Sequence, residues 1–159
     1  TEAYKISVEP TDLVGIIQAT IKETASLALE KKVAIEFISP KVLPEAMADQ
    51  NKVKEVVTNL LSNAIKYNRE GGDIAVTIFQ QEQSLIVEVR DTGYGIPLEE
   101  QGKIFQKFAR ALTKETQGVI GTGLGLFITR MLLEKMGGKI SFSSSPAGTT
   151  FSFSLPVKS

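Results

Sequence analysis

Asn59, Asn63 and Lys66 recur at intervals of four and three residues in the segment Lys52 to Asn68, KVKEVVTNLLSNAIKYN. At a helical pitch of about 100° per residue they gather within an arc of roughly 60°, with Glu55 near the same edge. Two amides and an ammonium on one face suit a hydrated divalent cation and a polyphosphate. Mg²⁺ keeps several waters and needs only one or two protein oxygens when phosphate supplies others. Val53, Val56, Val57, Leu60, Leu61, Ala64 and Ile65 form an apolar stripe on the other side. The segment therefore also fits an ordinary surface helix whose wet face carries two Asn. By itself it does not separate the two.

Two glycine-rich stretches bear on that choice. Asp91-Thr92-Gly93-Tyr94-Gly95-Ile96 ends an alternating segment, so its Asp stands at a strand terminus and the glycines let backbone approach a ligand. A plain strand-to-helix turn has the same composition. Gly121-Thr122-Gly123-Leu124-Gly125-Leu126 opens a helical pattern, whose first N–H groups can receive phosphate oxygens. It is not a dinucleotide fingerprint, because no strand precedes it, and Gly125 is not followed by the Lys-Ser or Lys-Thr of a Walker loop. Between them lie Ile104-Phe105-Gln106-Lys107-Phe108-Ala109-Arg110 and a long polar run. Phe105 fits a core position. A connection this long often serves as a lid, on which Arg110, Lys114 and Gln117 could reach a terminal phosphate, although solvated charge is the plainer account of Lys114.

These groups need a scaffold. Tyr4, Ile6 and Val8 alternate as a strand ending at Pro10, and Leu13 to Glu30 has helical spacing behind a Thr11 or Asp12 cap. Val33, Ile35 and Phe37 give a second strand, with a brief extended piece near Glu45 to Ala48. Asp49 caps the Asn-bearing helix, which runs to about Asn68. Asp73 to Gln80 and Ser84 to Asp91 form a hairpin, Leu98 to Phe108 a short helix, and Leu124 to Met136 a helix closed by Gly137-Gly138. Lys139 to Ser144 and Thr149 to Val157 are the last strands. The order implies an α+β fold, a largely antiparallel sheet with helices on one face.

Composition narrows the chemistry. The 159 residues suit one domain, and 18 basic residues balance 18 acidic ones, which gives no electrostatic case for nucleic acid as a partner. There is no Cys and no His, so thiolate chemistry, disulfides and the commonest general base are all excluded. No run reaches transmembrane length and the first residues lack a signal peptide's apolar core.

In order and spacing, Asn59-Leu-Leu-Ser-Asn63-Ala-Ile-Lys66-Tyr67 resembles the N box of sensor histidine kinases. Asp91-x-Gly93-x-Gly95-Ile96 resembles their G1 box, Ile104-Phe105-x-x-Phe108 the F box, Gly121 to Leu126 the G2 box, and Gly148-Thr149-Thr150-Phe151 the closing element. The resemblance covers nearly the whole chain. It implies the Bergerat (GHKL) fold, a two-layer α/β sandwich with a mixed, mostly antiparallel sheet of about five strands, about three helices and an ATP lid. It further implies that Asn59 and Asn63 hold Mg²⁺ and that Lys66 and Arg110 face phosphate, with Asn59, Lys66 and Arg110 taking part in transfer. Asp91 would accept from the adenine amino group, which suits an acceptor-only carboxylate. Tyr67, Gly93, Gly95, Ile96 and Phe108 would adjoin the nucleotide, with Thr149 or Thr150 at the pocket floor. Gly121, Thr122, Gly123, Leu124, Gly125 and Leu126 would border the phosphates.

The resemblance implies Mg-ATP and ADP as ligands, transfer to a histidine on a separate helical dimerisation domain, and a response regulator downstream. The chain lacks any His, so it cannot accept phosphate on histidine itself. It is expected to be an isolated cytoplasmic catalytic domain, monomeric without the dimerising helices, with membrane attachment of a longer sensor a family-level expectation. Two alternatives share the fold. Hydrolysing relatives carry a Glu four residues before the metal Asn, where this chain has Asn59. A Ser/Thr kinase, or a nucleotide-binding regulator that transfers nothing, is the other.

Overall fold

Ile74, Val76 and Ile78 of one strand and Leu85, Val87 and Val89 of its neighbour are all buried to 2% exposure or less. Their period of two is what sets a sheet with one dry face. The computed structural model describes residues 4–107 and 125–159. Its elements are β1 (Glu9–Thr11), α1 (Leu13–Glu23), α2 (Ala25–Glu30), β2 (Ala34–Ile38), β3 (Ala46–Ala48), α3 (Gln50–Lys66), β4 (Asp73–Gln81), β5 (Ser84–Asp91), α4 (Gly125–Lys135), β6 (Lys139–Ser145) and β7 (Gly148–Pro156). A 3-10 turn covers Leu98–Lys103.

The main sheet runs β2-β4-β5-β7-β6. Its pairs are antiparallel except β2–β4, which is parallel because α3 carries the chain back between them. α3 packs on β5, α4 on β6 and β7, and α1 lies against α3. The apolar stripe of α3 supplies the middle of the core: Val53, Val56, Val57, Leu60, Leu61, Ala64 and Ile65 are buried. Asp49 caps this helix, its Oδ1 accepting from the N–H groups of Asn51 and Lys52 at 3.1 and 3.3 Å. The fold is thus the expected two-layer α+β sandwich.

Several local expectations are corrected. The strand expected over Tyr4 to Val8 is instead β1, which runs through Pro10 and pairs with β3 in a separate two-stranded ribbon. An edge position spares Pro10 the ladder bond it cannot donate. The helix expected over Leu13 to Glu30 breaks at Thr24. Thr20 Oγ1 donates to the Ile16 carbonyl at 2.8 Å, and Thr24 Oγ1 to the Thr20 and Ile21 carbonyls at 2.9 and 3.2 Å. Such back-bonding bends helices. Leu98 to Phe108 is not one helix: the 3-10 turn buries none of its own residues, so nothing holds it in longer register. Phe108 lies outside the described residues.

Candidate functional site

Asp91 is the last residue of β5, opposite Ile74 on one side and Thr149 on the other. Its Oδ1 accepts from the Gly93 N–H at 2.9 Å and the Thr149 N–H at 3.2 Å. Among the described residues no donor reaches Oδ2. Burial raises the pKa of this carboxyl above the ordinary aspartate value, and the two backbone N–H groups pull it part of the way back. The result is a fixed acceptor with one oxygen saturated by protein and one left over.

The loop after Asp91 is moulded by close backbone approach. A Cβ on Gly93 would lie 2.5 Å from the Tyr67 carbonyl oxygen, so this loop sits directly on the C-terminal end of α3. Gly95 has φ +77, and a Cβ there would lie 2.0 Å from the Ser145 carbonyl oxygen. Both facts require glycine. Next, the Ile96 N–H donates to Ser144 Oγ at 2.8 Å, and Ser144 Oγ lies 2.8 Å from Thr149 Oγ1. Ser144 therefore ties the glycine loop to the strand that carries Thr149. Thr149 is buried, whereas the alternation of β7 turns Thr150 to the other face of the sheet, in register with Arg90 and Ser143. Of the two threonines expected at a pocket floor, Thr149 stands beside Asp91 and Thr150 does not.

Asn68, fully buried, locks the other side of the loop. Its Oδ1 accepts from the Arg69 N–H at 2.8 Å and from Thr92 Oγ1 at 3.3 Å, while Nδ2 donates to the Asp73 carbonyl at 3.2 Å. Sequence reasoning passed over Asn68, Thr92 and Ser144. The one available signal was an Asn at the end of a helix followed by Gly71-Gly72, where the side chain can replace missing backbone partners.

On α3, Asn59 and Asn63 are half-buried and Lys66 is exposed, all on the side away from the core stripe. Asn59 Nδ2 donates to Thr129 Oγ1 of α4 at 2.7 Å. A Cβ on Gly125 would lie 2.5 Å from Asn59 Oδ1, so the carboxamide rests against the bare start of α4. Tyr67 is the C-cap of α3 and half-buried; Ile96 and Leu126 pack against the core edge. Phe105 meets Phe142 and Phe151 edge-on at 5.9 and 6.4 Å, the core role expected of it. Phe108, Arg110, Lys114, Gln117, Gly121, Thr122, Gly123 and Leu124 lie outside the described residues. The structure thus brings Asp91, Gly93, Gly95, Ile96 and Thr149 together beyond the C-terminal end of α3, with Asn59 and Gly125 joined across α3 and α4.

Residues 48–159 match the model of the histidine kinase-, DNA gyrase B- and HSP90-like ATPases. The chain belongs to this ATPase family. It is 37% identical over 148 residues to the adaptive-response sensory kinase SasA of Synechococcus sp. strain CC9311, covering 92% of this chain and 38% of that protein. It is 40% identical over 109 residues to the sensor protein SrrB of Staphylococcus aureus strain NCTC 8325, covering 68% of this chain and 19% of that protein. The chain therefore spans well under half the length of these sensor kinases. Among solved structures, the catalytic domain of histidine kinase ThkA superposes with a TM-score of 0.81 at 30% identity, covering 95% of this chain and 96% of that one. The fold is that of histidine kinase catalytic domains. Among the described residues no helix is long and apolar enough to cross a membrane.

The residues present fit an ATP-family ligand. Asp91 Oδ2 is an acceptor without a protein donor among the described residues, beside a loop in which Gly93 and Gly95 carry no side chain. Asn59 Oδ1 and the Asn63 carboxamide are neutral oxygen donors on one helix face, which fits a hard cation whose charge phosphate largely neutralises.

Proposed function

We propose that this chain binds Mg-ATP and donates the γ-phosphoryl group to a histidine on a separate helical domain of a two-component kinase. The observation that carries this is the Asp91 carboxylate, with one oxygen held by two backbone N–H groups and the other open. An acceptor-only group in that setting suits an exocyclic amino group such as that of adenine. Thr149, fixed by Ser144, flanks it. Tyr67, Gly93, Gly95 and Ile96 would shape the base pocket. Asn59 and Asn63 would hold the cation, Lys66, Arg110 and the residues Gly121 to Leu126 would meet the phosphates, and Phe108 would adjoin the nucleotide.

In the transfer, the bond from γ-phosphorus to the bridging oxygen breaks, a bond from phosphorus to the acceptor imidazole nitrogen forms, and ADP leaves. Bound Mg²⁺ supplies charge neutralisation at the phosphate oxygens. The chain's own part is positioning and electrostatics, which is where most of the catalysis in phosphoryl transfer resides, so the absence of a histidine base within it is no obstacle. The reading is supported by relatives named as sensory kinases and by ThkA having been solved in complex with the response regulator TrrA, which makes a response regulator the proposed downstream partner.

The test is transfer in trans. The chain, radiolabelled ATP and Mg²⁺ are mixed with the purified His-bearing helical hairpin of a related kinase that accepts phosphate from its own catalytic domain. Label on the hairpin that disappears in its His→Ala variant is the expected result. A chain that binds nucleotide yet labels no such hairpin would point instead to a regulator.

A further inference from the structure

We propose that Thr129 is a positioning residue for Asn59, holding the carboxamide so that its oxygen rather than its nitrogen faces the cation. The proposal rests on the nucleotide-binding function given above and adds a residue to it.

A carboxamide has one end that can bind a hard cation and one that cannot. Nothing in the covalent structure of Asn chooses between them; a neighbour must. Thr129 Oγ1 stands 2.7 Å from Asn59 Nδ2, and Thr129 is itself buried to 2% exposure, so its hydroxyl is a fixed partner. In that bond the amide nitrogen donates and the Thr129 oxygen accepts. That acceptor selects the N–H end of the amide. The whole carboxamide lies over Gly125, where a Cβ would come within 2.5 Å of Oδ1 and 2.8 Å of Nδ2, and the oxygen is the end that Thr129 leaves unbonded. Gly125 and Thr129 are one helical turn apart on α4, so the same face of that helix both admits the amide and orients it. Because Asn59 is on α3, the bond also fixes the spacing of the helix bearing the cation donors from α4.

Thr129→Val keeps the shape and removes the acceptor; Thr129→Ser keeps the oxygen. Affinity for a non-hydrolysable ATP analogue is measured with and without Mg²⁺ on wild type and both variants, with thermal melts to establish folding. The expected result is that Thr129→Val loses about tenfold or more of the Mg²⁺-dependent gain in affinity, the usual effect of removing a group that orients a ligand. Metal-free binding stays unchanged and Thr129→Ser recovers the gain. Without nucleotide, the Asn59 side-chain NH₂ resonances of isotopically labelled protein should exchange slowly in wild type and Thr129→Ser, and rapidly in Thr129→Val. A folded Thr129→Val that keeps the full Mg²⁺ gain overturns the proposal, as does equal NH₂ exchange in all three. A wild type that binds nucleotide with no Mg²⁺ gain overturns this role alone and leaves the base pocket standing. A folded wild type that binds no nucleotide overturns both.

Discussion

Burial and two backbone N–H groups act on the Asp91 carboxyl in opposite directions, and burial wins. A carboxyl whose pKa is raised on folding holds its proton more tightly folded than unfolded. Its contribution to stability is therefore fully present below the unfolded pKa and is lost as pH rises through the folded one. In its ionised form Asp91 costs stability relative to its protonated form. Asp91→Asn should melt at the same temperature as wild type or higher at neutral pH, since an Asn oxygen can still accept from Gly93 and Thr149. A scanning-calorimetry comparison checks this. Nucleotide affinity should fall as pH is lowered through the Asp91 pKa, at a pH above that at which an ordinary aspartate titrates. The sequence singled out Asp91 and Asn59 through the order and spacing of the boxes that hold them, and the structure places Asp91 at the expected strand end and Asn59 on the expected wet helix face. Thr129 and Ser144 were not legible in it. Each is a small polar residue, one in a helix and one in the run Ser143 to Ser145, and each acquires meaning only from a partner at least 48 residues away in sequence or next to it by sheet register.

At the scale of elements, the glycine loop is held by contacts that leave no room for a Cβ. Gly95→Ala should lower stability in urea unfolding by at least about 1 kcal/mol, combining left-handed backbone with a collision against Ser145. Gly102→Ala meets no atom within 4 Å and should stay within about 0.5 kcal/mol of wild type. Long periodic segments were legible: α3, β4, β5 and β7 appear within a residue or two of expectation. Short or interrupted ones were not. A three-residue strand such as β1 has no period to detect, and Thr20 and Thr24 sit at helical spacing, so the break their hydroxyls accompany leaves no trace in the hydrophobic pattern.

Across the whole molecule, the two layers meet where the α3 stripe covers the dry face of the sheet. Leu61 is fully buried there, and Leu61→Ala should cost about 2–5 kcal/mol in urea unfolding. Fold class was legible from element order and alternation. The parallel partnership of β2 with β4 was not, because alternation specifies which face a residue takes and says nothing about which strand lies beside it. The central claim is that this architecture holds an adenine nucleotide against Asp91. Calorimetric titration of ADP, with Mg²⁺, into wild type and Asp91→Asn tests it most directly. Saturable binding by wild type, weakened about tenfold to a hundredfold in a folded Asp91→Asn, is the predicted result, since a hydrogen bond to a charged acceptor is lost. Equal binding by the two proteins, or none by a folded wild type, would contradict it.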